Sequence, residues 1–180
     1  MMTDEDLARR VQSGDRHAVT IAYERYRTGL FKFCARMLSD GAAAEDVVQD
    51  TFIAMMTKKE QLRDPSVLRS WMYTVARNEC LTMLKKRRTV QPITEEEEES
   101  VFEGPVMTVE MKERTKVTEQ MLNALLPQYK EVILLKEYEY MSYEEIAEVT
   151  GTTVSSVKSR LFKARRSMMK IMQHYTKEDL

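Results

Sequence analysis

Residues 141–166 read MSYEEIAEVTGTTVSSVKSRLFKARR, and they predict two helices joined by a tight turn. Ser142 and Glu145 have the spacing of a capping box, in which each side chain accepts a backbone N–H at the start of a helix. Gly151 follows the apolar residues of this first helix, and glycine readily adopts the left-handed conformation that ends helices. The stretch is therefore predicted to be a helix-turn-helix.

The second helix of the pair has one apolar face and one basic face. Thr153 is placed to cap its start, and apolar residues recur at steps of three and four from Val154 to Tyr175. Six basic residues occur between Gly151 and Lys170 without an acidic one. The polar face carries Ser155, Ser156, Lys158, Ser159, Arg160, Lys163, Arg165 and Arg166. Such a face suits a major groove, where the first side chains can read base edges and the cations can hold phosphates.

A basic amphipathic helix has other interpretations when it stands alone. It is usually a solvated surface, and sometimes it is a ligand of membranes or of calmodulin-type proteins. The capped helix and the glycine turn before it, together with the change from acidic to basic residues, favour nucleic acid instead.

The composition favours helices throughout the chain. Only five glycines and four prolines occur among 180 residues. No apolar run approaches the roughly 18 residues of a membrane span, and the start MMTDEDLARR lacks the apolar core of a signal peptide. We therefore expect an all-α protein that works in the cytoplasm and does not insert directly into a membrane.

The residue types that carry catalysis or metal binding are sparse and isolated. Cys34 and Cys80 lie far apart without a CxxC motif, and the two histidines, His17 and His174, stand alone. No nucleophile–base pair or metal-ligand spacing occurs in the sequence. We expect reduced cysteines in the core and no enzyme activity, cofactor, metal or small-molecule substrate.

The first 58 residues predict three helices. Thr3 and Asp6 can cap a short helix that ends near residues 13–15, and a longer helix with a mostly apolar stripe covers about 17–38. A third covers about 42–58 and should pack against the second as a hairpin. Its predicted buried face consists of Ala44, Val47, Val48, Phe52, Met55 and Met56.

The opposite face of the third helix is polar. It carries Glu45, Asp46, Gln49 and Asp50. A solvated helix face has this composition, and so does a docking surface for a basic partner. The pattern by itself leaves both interpretations open.

A fourth helix is predicted from about residue 67 to residue 88. Trp71 and Tyr73 occur there among basic side chains, and the run KKRR at 85–88 ends the helix. Aromatic rings interleaved with cations are suited to stacking on unpaired bases. The alternative is that Trp71 belongs to the core and that the basic run complements the helix dipole.

Residues 91–112 differ from the segments on either side. They contain seven acidic residues and one basic residue, including five consecutive glutamates at 95–99, and they lack helical periodicity. Like charges repel, so this segment is predicted to be a flexible linker. It separates a helical domain at 1–90 from a second at 113–180, which contains the helix-turn-helix.

Four segments in this order resemble a known family. They are AEDVVQDTF (44–52), LRSWMYTVARNEC (68–80), LPQYKEVILLKEYEYMSYEEIAEVTG (126–151) and VSSVKSRLFKARRSM (154–168). The chain resembles bacterial RNA polymerase sigma factors of the extracytoplasmic-function group in the sigma-70 family. The resemblance implies a transcription initiation factor that binds the polymerase core and directs it to promoter DNA. It also implies an anti-sigma factor as a partner.

The resemblance further implies a role for each part of the chain. Core binding would involve the β′ clamp helices and the β flap. The clamp helices would be bound by Glu45, Asp46, Gln49 and Asp50, with Phe52 as support. Recognition and opening of the −10 element would use Lys58, Lys59, Arg63, Arg69, Trp71, Tyr73, Arg77, Asn78, Lys85, Lys86, Arg87 and Arg88. Recognition of the −35 element would use Thr153, Ser155, Ser156, Lys158, Ser159, Arg160, Lys163, Arg165 and Arg166. The acidic linker would pass through polymerase channels.

Two other functions remain open on the residues alone. A dimeric helix-turn-helix repressor or activator would bind a palindromic duplex tightly without polymerase. A helical adaptor would use the basic helix to contact an acidic partner and would not bind promoters specifically.

Overall fold

The computed structural model describes residues 2–90 and 111–178, with side chains described for 2–88 and 117–173. Most of the predicted linker, residues 91–110, therefore lies outside the described residues. All the regular elements in the two described ranges are helical, which confirms the all-α fold class.

The N-terminal group, residues 2–90, is built from four α-helices. They are α1 (Asp4–Gln12), α2 (Arg16–Leu38), α3 (Gly41–Thr57) and α4 (Leu68–Val90), with short 3-10 turns at Lys59–Gln61 and Pro65–Val67. Local side chains fix the helix ends. Thr3, Asp15 and Asp40 each accept a backbone N–H at the start of a helix, and Ser39 ends α2 in the left-handed conformation (φ 52°).

The C-terminal group, residues 111–178, contains four further helices and one π-helical turn. They are α5 (Met111–Asn123), α6 (Pro127–Ile133), the π-turn (Leu134–Tyr138), α7 (Tyr143–Thr150) and α8 (Val154–Glu178). The predicted capping box is present, because Ser142 and Glu145 accept each other's backbone N–H. Gly151 ends α7 with φ 63°, and Thr153 accepts the backbone N–H of Ser156 at the start of α8.

The two groups share one continuous apolar core. Within the N-terminal group, α3 and α4 pack on α2. The C-terminal group covers the remaining side: α7 packs against α4, while α5, α6 and the π-turn contact α2. The ring of Phe33 in α2 meets that of Tyr73 in α4 edge to face, with centroids 5.6 Å apart. The groups are thus joined in a closed arrangement.

Several sequence expectations about burial can be compared with this core. Cys34 and Cys80 are free and fully buried, as predicted. Met56 was predicted to be buried, and this is wrong: it is 49% exposed, because it lies at the edge of the α3 stripe, where none of the described helices covers it. Tyr23 falls on the α2 stripe but is also exposed at 41%. Residue 175 lies beyond the described side chains.

Candidate nucleic-acid interface and docking surface

The outer face of α3 is a continuous exposed surface. All four of its predicted polar residues, Glu45, Asp46, Gln49 and Asp50, are exposed. Phe52 is 5% exposed, and its ring packs 4.9 Å from that of Tyr23. The structure therefore places Phe52 beneath this face, in the position of a support.

Two apolar side chains that sequence reasoning did not assign to this face extend it toward the end of α3. Ile53 is 44% exposed and Met56 is 49% exposed. They follow Gln49 at steps of four and three, so they share its side of the helix. An acidic start followed by exposed apolar residues is suited to a protein partner that is basic at one end and apolar at the other. Their helical spacing from Gln49 was the feature of the sequence that could have assigned Ile53 and Met56 to this face.

Helix α4 turns Tyr73 toward the C-terminal group. Tyr73 is 2% exposed, and its hydroxyl donates a hydrogen bond to the Glu139 carboxylate. Burial, and then the negative charge of Glu139, raise the pKa of Tyr73. Trp71 is half-buried and packs against the shared core. In this arrangement a base could reach Tyr73 only after the two groups separated.

Arg69 lies one turn before Tyr73 and also faces the C-terminal group. Its guanidinium donates to the backbone oxygen of Glu139. It lies 4.0 Å from the Glu139 carboxylate and 3.7 Å from that of Glu145. These contacts place Arg69 beside the start of α7.

Arg77 lies one turn after Tyr73 and forms the best-defined ion pair across the groups. Its Nε is 2.7 Å from Glu131 Oε2 and its Nη2 is 3.1 Å from Glu131 Oε1. The Glu131 side chain is only 1% exposed, and Arg160 Nη1 lies 3.4 Å from its Oε1. One buried carboxylate therefore pairs with an arginine from each predicted DNA-binding helix. Neighbouring Asn78 is exposed.

The remaining predicted −10 residues surround α4 and its preceding loop. Lys58, Arg63, Lys85, Lys86, Arg87 and Arg88 are exposed, and Lys59 is half-buried. Arg87 donates to Leu38 O at 3.0 Å and to Asp40 Oδ2 at 2.8 Å. The N–H of Ala43 and the Arg87 guanidinium lower the pKa of Asp40. Arg87 is thus tied to the α2–α3 corner, beside the exposed cations of the basic run.

The start of α8 is accessible to solvent. Its exposed predicted residues are Thr153, Ser155, Lys158, Ser159, Lys163, Arg165 and Arg166, while Ser156 and Arg160 are half-buried. Arg165 pairs with Glu137 at 2.7 Å, and the Lys158 ammonium lies 5.5 Å from the centre of the Tyr143 ring. The polar face of α8 can therefore meet a duplex directly, with Arg160 held at its border.

Phe162 is a further candidate that sequence reasoning did not name. It is 67% exposed, and the helical period places it between Ser155, Ser159 and Arg166, in the middle of the polar face. An exposed ring there can contact a thymine methyl group in a major groove. The available signal was that Phe162 does not fit the apolar stripe through Val157 and Leu161.

Comparison with known proteins identifies both groups. The model "Sigma-70 region 2" matches residues 22–90, and the model "Sigma-70, region 4" matches residues 116–168. The RNA polymerase sigma-H factor of Pseudomonas aeruginosa is 30% identical over 97% of this chain and 96% of that protein. The ECF RNA polymerase sigma-E factor of Haemophilus influenzae is 31% identical over 91% of this chain and 92% of that protein. The chain belongs to the ECF group of sigma-70 factors.

Solved structures agree with this identification. The sigma factor resembles RpoE of Bartonella quintana, solved with the anti-sigma factor NepR, with a TM-score of 0.67, 26% identity and coverage of 86% of this chain and 96% of that one. CnrH, solved with the cytosolic domain of CnrY, shares the fold with a TM-score of 0.75 at 23% identity, over 95% of this chain and 97% of that one. The chain is a transcription initiation factor that acts with RNA polymerase at promoters.

The two family matches contain all the predicted site residues of this sigma factor. The region 2 match includes the outer face of α3 and all of α4, and the region 4 match includes α8 as far as Met168. Within the described ranges, no helix is long and apolar enough to span a membrane. The same residues contain no cluster of three or more His, Cys, Asp or Glu able to hold a metal ion.

Proposed function

We propose that this ECF sigma factor divides promoter recognition between three of its helices. The exposed face of α3 docks on the β′ clamp helices of the polymerase core, α4 with its basic run opens the −10 element, and the start of α8 reads the −35 element as duplex. The C-terminal group also contacts the β flap. Residues 1–90 and 113–180 act as the two working domains, and residues 91–112 connect them through polymerase channels.

The segregation of charge on the surface carries this proposal. The α3 face presents three exposed carboxylates and no cation, whereas the exposed polar face of α8 presents hydroxyls, lysines and arginines. Phosphates attract the cationic faces and repel the acidic one, so these helices meet different partners. The acidic face is left for a protein, and the basic faces are left for DNA.

The proposed mechanism needs binding energy and no chemical step. Phosphate contacts along α8 position the complex, while side chains at its start read base edges. Polymerase fixes the spacing of the two DNA-binding groups, and linked weak sites act at a high effective concentration. Aromatic residues on α4 then trap unstacked bases, which offsets the few kcal/mol that unpairing costs. We propose that the protein has no catalytic activity of its own.

We also propose the cytoplasm as its location, because the polymerase and the promoter DNA are there. An anti-sigma factor is a further proposed partner. Its support is the similarity, at 26% identity, to a sigma factor solved in complex with one.

Run-off transcription tests the proposal directly. Purified core polymerase is incubated with a genomic fragment library, with and without this protein, and the start sites are mapped. We expect new transcripts that start at a fixed distance from a shared two-part motif. Absence of new transcripts together with absence of core binding would refute the proposal, and tight duplex binding without polymerase would support a repressor instead.

Matched variants test the docking face separately. Asp46→Ala combined with Asp50→Ala removes two exposed carboxylates from α3 and should weaken core binding. Glu119→Ala removes an exposed carboxylate from α5, away from this face, and should leave core binding unchanged. Equal affinity of all three proteins for the core would exclude the α3 face as the docking surface.

A further inference from the structure

We propose that Gln12 positions the loop before α4 for recognition of the −10 element. This loop consists of residues 58–67 and is called the −10 loop below. The inference rests on the proposed function of α4 and its preceding loop. It adds a residue from α1, a helix that lies before the region 2 match at 22–90. Gln12 acts through the loop and is not itself a DNA contact.

Gln12 joins two segments of the chain. It is the last residue of α1 and half-buried, and its side-chain amide donates a hydrogen bond to the backbone oxygen of Leu62, 50 residues away. The Leu62 side chain is 2% exposed and belongs to the core. Leu62 is therefore fixed at two points, by the core through its side chain and by Gln12 through its carbonyl group.

The bond from Gln12 holds a sharp turn in the −10 loop. Leu62 has φ −76° and ψ 75°, and the N–H of Arg63 donates to Gln61 O at 3.0 Å. These values define an inverse γ-turn, which changes the direction of the chain at its central residue. Gln61 and Arg63 are exposed, whereas Leu62 between them is buried. Fixing the central carbonyl therefore fixes the direction in which the Arg63 side chain leaves the turn.

The residues after this turn are ordered by bonds within the loop. Asp64 Oδ1 accepts the N–H of Ser66 at 2.9 Å and the Ser66 hydroxyl at 2.7 Å. The hydroxyl, and then the N–H, lower the pKa of Asp64, so the carboxylate remains charged. Helix α1 packs against the 3-10 turn at Pro65–Val67. Arg63, Asp64 and Ser66 thus form an exposed polar tip whose position depends on α1.

The end of α1 also supports Lys59 at the start of the −10 loop. Lys59 is half-buried, and a Cβ added to Gly14 would lie 3.8 Å from its Nζ. Gly14 follows α1 in the left-handed region (φ 85°), where a side chain would be strained. A cation beside the C-terminal end of a helix interacts favourably with the helix dipole. The end of α1 therefore holds the −10 loop at both Lys59 and Leu62.

An ordered tip favours selectivity between bases. Hydrogen bonds to the edge of an unstacked base need donors and acceptors in fixed positions. A loop that is already ordered also loses less conformational entropy when it binds. Without the bond from Gln12, the tip would contact correct and incorrect bases with more similar affinity. Discrimination between bases is therefore the property that Gln12 controls.

Fork-junction DNA measures this discrimination with the complete holoenzyme. The promoter found by run-off transcription is synthesised as a duplex with a single-stranded −10 segment, and each −10 base is replaced in turn. The measured quantity is the ratio of affinities for the promoter base and its replacement. This ratio is insensitive to a partial loss of folded protein. Phosphate contacts cancel in it, because they carry no sequence information.

Two variants of Gln12 separate the hydrogen bond from packing. Methionine is close to glutamine in length and shape but cannot donate, whereas lysine has a donor at a similar reach. Gln12→Met should lower the affinity ratio about fivefold at one or more −10 positions, because the bond that orders the loop is lost. Gln12→Lys should keep most of the wild-type ratio. Glu5→Gln removes an exposed carboxylate at the start of α1 and should keep all of it.

The ratios at −35 positions should be the same in all four proteins. A wild-type ratio for Gln12→Met at every −10 position would overturn the proposal. Equal losses in Gln12→Met and Gln12→Lys would also overturn it, since the donor would then be unimportant. Absence of any −10 discrimination by the wild-type holoenzyme would instead refute the proposed function of α4 and its loop.

Hydrogen exchange in the free protein tests the cause without DNA. Gln12→Met should speed the exchange of backbone N–H groups in residues 61–67 about fivefold, while exchange in α7 stays at the wild-type rate. Unchanged exchange in the −10 loop of folded Gln12→Met would contradict the proposal.

Discussion

Replacing Gly29 with alanine should loosen the contact between the two helical groups. Gly29 lies in the middle of α2, beneath the hydrogen bond between Tyr73 and Glu139. A Cβ at this position would lie 2.6 Å from Tyr73 Oη, closer than real Cβ atoms come to a neighbour, and 3.0 Å from Glu139 Oε2, which is a tight contact. Tyr73 is fixed in the core, so the bond between the two side chains must lengthen or break.

The expected magnitude follows from two opposed effects. A hydrogen bond to a charged group contributes about 1.5–3 kcal/mol. Alanine in a helix interior is favoured over glycine by about 1 kcal/mol. Gly29→Ala should therefore lower the free energy of unfolding by a net amount of about 0.5–2 kcal/mol.

Urea unfolding, followed by circular dichroism, measures this change. Gly41→Ala is the control, because it also introduces alanine into a helix but a Cβ there would meet no atom within 4 Å. The control should be neutral or more stable than the wild type. If Gly29→Ala were as stable as Gly41→Ala relative to the wild type, the close packing of Tyr73 and Glu139 against α2 would not contribute to the free energy of unfolding, and the prediction would be refuted.

Three further predictions concern DNA binding and pH. Arg160→Ala should weaken binding of polymerase holoenzyme to the −35 element, and unchanged promoter affinity at fixed salt would remove this residue from the interface. If the Phe162 ring contacts a thymine methyl group, the wild type should bind thymine in the −35 element more tightly than uracil, by about 0.8 kcal/mol for one methyl group, and Phe162→Ala should lose this preference. Competition binding with uracil-substituted duplexes measures the preference. If the wild type showed none, the contact between Phe162 and thymine would be contradicted. Lys130 is buried, and desolvation lowers its pKa to about 8. Its unfolded form binds more protons between pH 8 and its ordinary value, so Lys130 should contribute a rise in the free energy of unfolding with pH from about 8 to 9.5. Lys130→Met, measured by urea unfolding, should lack this contribution and show a lower slope against pH than the wild type; an identical slope in the two proteins would contradict the prediction.

The local structure was predictable because its causes lie within a few residues. The starts of α1, α3 and α8 follow from Thr3, Asp40 and Thr153, whose side chains accept nearby backbone N–H groups. The end of α7 follows from Gly151, whose backbone adopts the left-handed conformation. The buried stripes follow from helical periodicity.

The candidate site was predictable only in part. Helical spacing identified the polar faces of α3 and α8, but it did not assign exposed apolar residues such as Ile53 and Phe162 to them. Periodicity predicts which residues share a face, and it does not say how much of that face a neighbouring helix covers. Met56 was misplaced for this reason.

The sequence by itself determined the helices, their caps, the charge of each face and the family, since these depend on local backbone preferences and on the order of motifs. Tertiary structure alone decided that α4 faces the C-terminal group and that Glu131 meets Arg77, 54 residues away in the chain. Contacts between distant residues depend on how whole helices pack, and this packing makes the buried Glu131 carboxylate an ion-pair partner of Arg77 in α4 and of Arg160 in α8.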